Sequence, residues 1–519
     1  MSLMYYFILF IISFLIASID DELPIGLTDF ELDNLYIIDE MGRSTPPPPS
    51  PVRNIAEYER MEGVLIRYPF GVSTSLIREM AEDITIYCLV SSNLQSSAYN
   101  SMNNASVNMD NVEFVLGSTD SYWTRDYGPW WVVDGNENVG VVDFTYNRPR
   151  PNDNQAPQKM SNYLSTPYYS TDLEHCGGNY MADGIGGAAS TTLVYSENSY
   201  SNSQVDNIME DYYGIETYHV LDDPNNTYID HIDCWGKYLS PNKILIRSVP
   251  VSHPQYDEIE EVVSYFENIS TSYGNSWEIF RVYTPSDQPY TNSIILNDKV
   301  FVPIMNSSWD DDAIDVYEEA LPGYEILSFT GSWESTDALH CRTKGIPDLE
   351  MLQIFHSPIQ NQSNPQNSYM VEVIINDLSQ TGLVEEELKV HWWIDDSNVV
   401  EEITMSVCAE DILDCYSANI PSQPIDANIK YYIQAMDNSG RLETLPMAGY
   451  FDFNSIGSPS IPGDVNQDES VNILDIVLTV NAILGTSGLS DIEFQLADMN
   501  GDGVLNILDV ILIANEALN

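Results

Sequence analysis

The chain has 519 residues, 19 Lys+Arg against 79 Asp+Glu, and a formal net charge of −60, with 43% hydrophobic and 11% aromatic residues. That apolar content supplies a sizeable core and excludes wholesale disorder, and the length points to several domains of about 100–200 residues. A field of this sign repels nucleic acid and anionic membrane surfaces, leaving calcium, counterions and positively charged substrates as favoured partners.

Residues 4–17 read MYYFILFIISFLIA, followed by Ser18 and the acidic run Asp20, Asp21, Glu22. An N-terminal apolar stretch ending in small residues predicts a signal peptide over residues 1–18 and a secreted or extracellular protein, with cell-surface attachment open. No later apolar run reaches about 18 residues, so no membrane span is expected once the signal is removed. Residues 19–51 are acidic and end in Ser44-Thr45 and the proline-rich run 46–51. Consecutive prolines favour polyproline II, and this stretch is expected to be a linker.

From 52 to 358, strand-like runs (64–67, 139–142, 243–246) alternate with helical patterns (75–81, 256–266), which predicts α/β organisation. Residues 361–366 are polar and mark a boundary. Over 367–455 short strand patterns dominate (370–375, 388–394, 403–407, 429–435, 449–453), as in an all-β immunoglobulin-like sandwich. Of six cysteines, only Cys408 and Cys415 are spaced for a local bridge in a secreted chain. A second Gly/Ser/Pro-rich linker covers 455–462.

The last segment, 462–519, is a repeat. Asp464, Asn466, Asp468, Asn472 and Asp475 recur 34 residues later as Asp498, Asn500, Asp502, Asn506 and Asp509. Oxygen side chains at loop positions 1, 3, 5, 9 and 12 suit Ca2+, and the apolar residues that follow start a helix. Gly503 supplies the sharp turn at the sixth position, where the first copy has Glu469. Ten acidic residues and no Lys or Arg fall in this small helical calcium-loop domain, so its loops repel themselves without a cation. It resembles a type I dockerin, which implies a cohesin-like partner. At the helix starts, Ile473-Leu474 and Ile507-Leu508 are apolar where many dockerins carry polar recognition residues, so a different cell-surface or intramolecular partner is equally consistent.

The large domain holds four dense clusters: 122–131 (YWTRDYGPWW), Cys176-Gly-Gly-Asn179, Asp230-His231-Ile232-Asp233, and Leu339-His340-Cys341-Arg342-Thr343. On a strand, His231 and Asp233 would share a face, as a base with its orienter, a metal pair or a plain surface pair. Cys341 with His231 and Asn292 suggests a thiolate nucleophile. The order of cysteine and histidine does not fit a papain-like protease. Carboxylates beside a thiol and an imidazole suit a planar guanidinium, whose forked donors pair bidentately with carboxylates.

In order, Met61-Glu62-Gly63, Trp-Thr-Arg-Asp-Tyr-Gly-Pro, Gly-Gly-Asn, His231-Ile-Asp233, Thr291-Asn292-Ser293 and His340-Cys341 resemble the bacterial peptidylarginine deiminase and agmatine deiminase family. The resemblance implies a five-bladed α/β propeller (pentein) with its site on the axis. It implies Cys341 as nucleophile, His231 as general acid/base, Asp126 and Asp233 gripping the guanidinium, Asn292 supporting the sulfur and Trp123 walling the channel. A covalent thiouronium would then be hydrolysed to a ureido product, with no cofactor needed for catalysis. Arg148 and Arg150, 22 and 24 residues after Asp126, and Tyr228 resemble the Porphyromonas-type subgroup, where such residues bind a C-terminal arginine. Agmatine lacks that carboxylate. The alternatives are an agmatine or free-arginine deiminase, and a non-catalytic surface protein with a calcium-dependent docking module.

Overall fold

The computed structural model describes residues 23–518 apart from 363–365, 396, 398, 409–411, 425, 456–460, 469, 487 and 490. The signal expected over 1–18 and the departure at Glu469 lie outside the described residues.

Between Arg53 and Pro347 the described strands form five separate sheets of three or four strands. One arrangement recurs in all five. A central strand (Met61–Arg67, Val139–Tyr146, Gly187–Thr191, Lys243–Ser248 or Lys299–Ile304) pairs antiparallel on one side and parallel on the other. Parallel pairing demands a crossover, and a helix supplies each: Thr74–Met80, Ala156–Leu164, Asn202–Tyr213, Tyr256–Glu267 and Asp310–Ala320. The sequence shows why. Strands covered on both faces read as unbroken apolar runs, and Val64, Leu65 and Ile66 are all buried. The crossover Tyr256–Glu267 buries Ile259, Val262, Val263 and Phe266, one stripe at helical spacing. The set is closed by chain ends: Lys344–Pro347 pairs antiparallel with Met61–Arg67, bringing the end of the unit back to its first strand.

Two sheets follow. Leu352–Phe355, Ser368–Asp377, Cys415–Pro421 and Ser406–Val407 form one; Glu401–Thr404, Lys389–Ile394, Ala427–Met436, Leu442–Leu445 and Phe451–Ser455 form the other. Alternate residues such as Val371, Val373 and Ile375 meet Ile429, Tyr431 and Ile433 in a shared core. Leu352–Phe355, expected inside the region ending at 358, pairs with Ser368–Asp377 and so belongs to the sandwich. Cys408 and Cys415 are disulfide-bonded. Arg60 clamps Glu443 with three hydrogen bonds of 2.6–3.0 Å across the junction between the two units. The C-terminal segment contains helices Ile473–Ile483, Asp491–Ala497 and Ile507–Glu516. The first and last begin with the same capping box, Asn472/Asp475 and Asn506/Asp509.

The stretch expected to be a linker is structured from Thr28 onward. Asp29–Leu32 and Tyr36–Met41 are helical, the first closed by a Thr28/Glu31 capping box, and Ile38 and Met41 are buried. The proline run is tied down as well. Thr45 bonds Ser170 through its N–H, Tyr212 donates to the Thr45 carbonyl, and the Gly135 N–H donates to Pro49. Among the described residues no helix is long and apolar enough to cross a membrane.

Candidate functional site

Each of the five sheets is entered through a turn just before its first hairpin strand, and these turns carry the predicted residues. Thr124–Tyr127 holds Asp126, Gly177–Asn179 follows Cys176, Ile232–Cys234 holds Asp233 with His231 as its cap, Asn292 precedes Ile294–Leu296, and His340–Arg342 holds Cys341. Thr124–Tyr127 packs on both Gly177–Asn179 and His340–Arg342, and Gly177–Asn179 packs on Ile232–Cys234. His231 and Asp233 therefore sit on a 3-10 turn, not on the strand that would have given them a common face. Asp230 takes a left-handed backbone (φ 49°) just before it, and both side chains still reach one point.

Cys341 is fully buried. The Asn292 amide donates to its Sγ at 3.2 Å, while the Asn292 Oδ1 accepts from the His340 and Cys341 backbone N–H groups at 3.0 and 3.3 Å. One carboxamide thus fixes the turn and touches the sulfur. Asp233 Oδ2 lies 3.8 Å from Sγ and 2.7 Å from His340 Nδ1. His340 Nε2 is 2.9 Å from Glu57 Oε2, so that imidazole bridges two carboxylates. Glu57 also takes Arg125 at 2.7 Å, Lys237 and the Ile295 N–H. Neither Glu57 nor the bridging place of His340 was drawn from the sequence. Glu57 lies 283 residues from His340, in no cluster of its own.

Gly178 explains the adjacent glycines. A Cβ there would stand 2.7 Å from His231 Nδ1, 2.8 Å from Asp126 Oδ1 and 3.3 Å from Asp233 Oδ2, and one on Gly177 would meet the Arg125 carbonyl at 2.0 Å. The His231 Nδ1 to Asp126 Oδ1 distance is 3.8 Å. Among the described residues, both ring nitrogens of His231 and the Asp126 Oδ1 are buried without a hydrogen-bond partner. Cys176 places its sulfur in the same group, within 4.8 Å of ligand atoms of Asp126 and His231. Polar atoms left this way are costly unless a ligand completes them.

Electrostatics separates the two carboxylates. Burial and repulsion by Asp233 push Asp126 up to about 8, with Arg148 opposing. Burial also pushes Asp233 up, but the hydrogen bond and charge of His340, with His231 and Arg125 behind it, outweigh that and hold it below its ordinary value. Burial takes His231 down to about 4, so its ring is neutral near neutral pH. Burial, Asp233 and Asp126 raise the Cys341 thiol well above its usual range. The resting site is therefore a thiol, a neutral imidazole and one firmly ionised carboxylate.

The four residues expected to line a substrate channel meet a segment of the chain itself. Arg150 donates to Glu31 Oε1 at 2.7 Å and Oε2 at 3.3 Å, and to the carbonyls of Pro24 and Gly26 at 2.7 and 3.0 Å. Arg148 donates to the Ile25 carbonyl at 3.2 Å. Trp123 lies under Arg150, 5.4 Å from guanidinium to ring centroid, and joins Ile25, Ile229, Cys234 and Cys341 in one buried cluster. Tyr228, 68% exposed, lies over Gly26, where a Cβ would come within 2.7 Å of its ring.

In the C-terminal repeat the two loops share one bonding pattern. Asp464 accepts from the Asp468 N–H at 3.1 Å and Asp475 from the Asn466 N–H at 2.9 Å; Asp498 and Asp509 repeat this with Asp502 and Asn500 at 3.2 and 3.3 Å. Asp464, Asp475 and Asp509 are buried with no Lys or Arg in the segment, a donor set that fits a hard cation. Asn472 and Asn506 use their Oδ1 to cap helices, accepting from Leu474 and Leu508 at 2.8 and 2.9 Å, so their place at position 9 is shared with that cap.

Glu57→Gln leaves Arg125, Lys237 and His340 facing one neutral amide in a buried setting. The expected loss is about 3–5 kcal/mol, read from urea unfolding followed by tryptophan fluorescence.

Residues 56–347 match the family described as Porphyromonas-type peptidyl-arginine deiminase, and residues 462–518 match the dockerin type I domain. The agmatine deiminase of Medicago truncatula is 24% identical, over 46% of this chain and 79% of its own. The solved agmatine deiminase of Enterococcus faecalis shares the fold at 17% identity and a TM-score of 0.53, over 59% of this chain and 99% of that one. A match across more than half of the 519 residues, on the stretch that builds the five turns, makes this chain a member of the Porphyromonas-type peptidyl-arginine deiminase family.

Proposed function

We propose that the chain is a secreted deiminase that hydrolyses the guanidinium of a peptide's C-terminal arginine to citrulline and ammonia. The five sheets are read as the blades of an α/β propeller, with the five turns at its axis. The observation that carries the reading is the convergence of Cys341, His231, Asp126 and Asp233 on one buried point where both His231 ring nitrogens and Asp126 Oδ1 lack partners, with Arg148 and Arg150 nearby.

The chemistry follows from the resting charges. A guanidinium entering between Asp126 and Asp233 brings the missing positive charge, ionises Asp126 and holds its carbon in line with Sγ. Sγ attacks that carbon while the thiol proton passes to neutral His231. His231 returns the proton to the departing nitrogen, which leaves as ammonia, and an S-alkylthiouronium remains. The neutral imidazole then takes a proton from water as hydroxide adds to the carbon. The C–S bond breaks, the sulfur recovers a proton from the new hydroxyl as the ureido C=O forms, and His231 gives its own proton to solvent, where the released ammonia takes it up as ammonium. Asn292 steadies the sulfur throughout, and no cofactor takes part.

The alternative is an agmatine or free-arginine deiminase, favoured by the agmatine deiminase relatives. A purely non-catalytic surface protein is less well supported, because every residue of the proposed chemistry is present and placed. The two arginines discriminate between the enzymes, since they repel a second cationic group and attract a carboxylate. The dockerin-type segment is proposed to bind Ca2+ through Asp464, Asn466, Asp468, Asn472, Asp475 and their counterparts Asp498, Asn500, Asp502, Asn506 and Asp509, and to attach the enzyme to a cohesin-like partner outside the cell. The apolar pairs Ile473-Leu474 and Ile507-Leu508 are exposed and available for that contact.

With a peptide ending in arginine, Arg148→Ala/Arg150→Ala is expected to raise KM by about tenfold or more without raising KM for agmatine, and Cys341→Ser to abolish turnover of both. Faster turnover of agmatine than of the peptide by the parent enzyme would overturn the peptide reading. Because Asp126 must be ionised to receive a cation, KM should rise as pH falls through about 8, a trend seen in a KM–pH profile and absent in Asp126→Asn. Ca2+ at about 100 times its Kd should stabilise the C-terminal unit by about 2.7 kcal/mol, visible in differential scanning calorimetry, and chelator should remove the shift.

A further inference from the structure

We propose that the groove formed by Trp123, Arg148, Arg150 and Tyr228 is a peptide main-chain groove whose resident occupant is residues 23–31 of the same chain, so that the protein is latent until that segment leaves. Three observations point to one occupant. Arg148 and Arg150 donate to three consecutive carbonyls, Pro24, Ile25 and Gly26, so the groove holds this bent segment by its main chain. Glu31 turns back through its capping box and lays both carboxylate oxygens on Arg150, where an incoming carboxylate would sit. Ile25 is buried in the cluster that contains Trp123 and Cys341, and the sulfur has no solvent exposure at all.

The fit is close. Gly26 passes under the exposed Tyr228 ring, whose edge lies 2.7 Å from where a Cβ would stand, so a side chain here would require that ring to move. Glu31 and Arg150 are both buried, and neither could be left there alone without a large desolvation cost. Removing the segment therefore leaves Arg150 facing water or another carboxylate, which is the binding state the proposed substrate needs. Residues 42–52 join the segment to the first sheet and are themselves tied down at Thr45 and Pro49, so a cut here removes the covalent link and leaves the segment held by its own contacts alone.

The inference rests on the deiminase reading for the identity of the displacing ligand, but the occupancy does not. The experiment therefore reads access to Cys341 separately from turnover. A protease site replaces residues 42–47 in the full chain, the folded protein is cut, and iodoacetamide labelling of Cys341 is followed by peptide mass mapping. Glu31→Ala and Glu31→Gln in the uncut chain form a second arm that needs no cut. Labelling should accelerate by about tenfold or more after cutting and in both variants, and a synthetic peptide spanning residues 19–41 should slow it again in the cut protein. Equal labelling rates in the intact, cut and substituted proteins would overturn the proposal. Faster labelling without any release of ammonia from a C-terminal arginine peptide supports the occupied groove and counts against the deiminase reading alone.

Discussion

The centre of this molecule is organised by negative charge held away from water. Glu57, Asp126 and Asp233 are brought together by turns from different sheets, and such a grouping stands only if each charge is met from somewhere. Glu57 is met on its outer side by Arg125, Lys237 and His340. Burial pushes it up, yet the charges of Lys237 and Arg125, with the His340 hydrogen bond behind them, hold it well below its ordinary range. His340 passes that support inward to Asp233. At Asp126, at the inner end, Arg148 and a Cys176 hydrogen bond oppose burial and Asp233 without overcoming them, and the carboxyl stays pushed up to about 8. The gradient runs from a fully compensated carboxylate to a weakly compensated one.

That gradient requires close approach, and the repeated ββαβ arrangement provides it. Each sheet presents a turn at the same stage of its chain path, so five short segments converge without any long loop. The crowding is severe enough that Gly177 and Gly178 have no room for side chains, one against the Arg125 carbonyl and the other against His231 and Asp126. The pairing of Lys344–Pro347 with Met61–Arg67 then fixes the last turn, which carries Cys341, against the first sheet. The nucleophile proposed for the reaction is thus positioned by the same contact that closes the set.

Much of this was legible in the residues. The motif order singles out residues that lie together in the structure, Cys341 with Asn292 and His231 with Asp126 and Asp233. Strand and helix patterns such as 64–67 and 256–266 survive because their periodicity reports burial directly. Other features were hidden for definite reasons. Glu57 stands alone in sequence and gains meaning only from partners 68, 180 and 283 residues away. His231 and Asp233 share a target through a tight turn, which two-residue spacing alone cannot distinguish from a strand. The acidic composition of residues 19–51 masked a local signal that was readable: Thr28-x-x-Glu31 is a capping-box pattern, and it begins a helix.

The net charge of −60 then acquires a different weight at different places. Over most of the surface, carboxylates are solvated and interchangeable in effect. In the C-terminal repeat Asp464, Asp475 and Asp509 are buried in a segment without Lys or Arg, the setting on which the proposed Ca2+ site rests. Around Arg148 and Arg150 the situation is reversed. Cationic side chains are scarce, and two are committed to one groove, so whatever lies there must bring carbonyl or carboxylate oxygen. In this structure the chain supplies both from one acidic segment, with the capping Glu31 doing two jobs: it closes its own helix through the Thr28 N–H at 2.8 Å, and it neutralises Arg150. A segment that needs the groove to bury Ile25 and Glu31, and a groove that needs an acid to cover Arg150, stabilise each other.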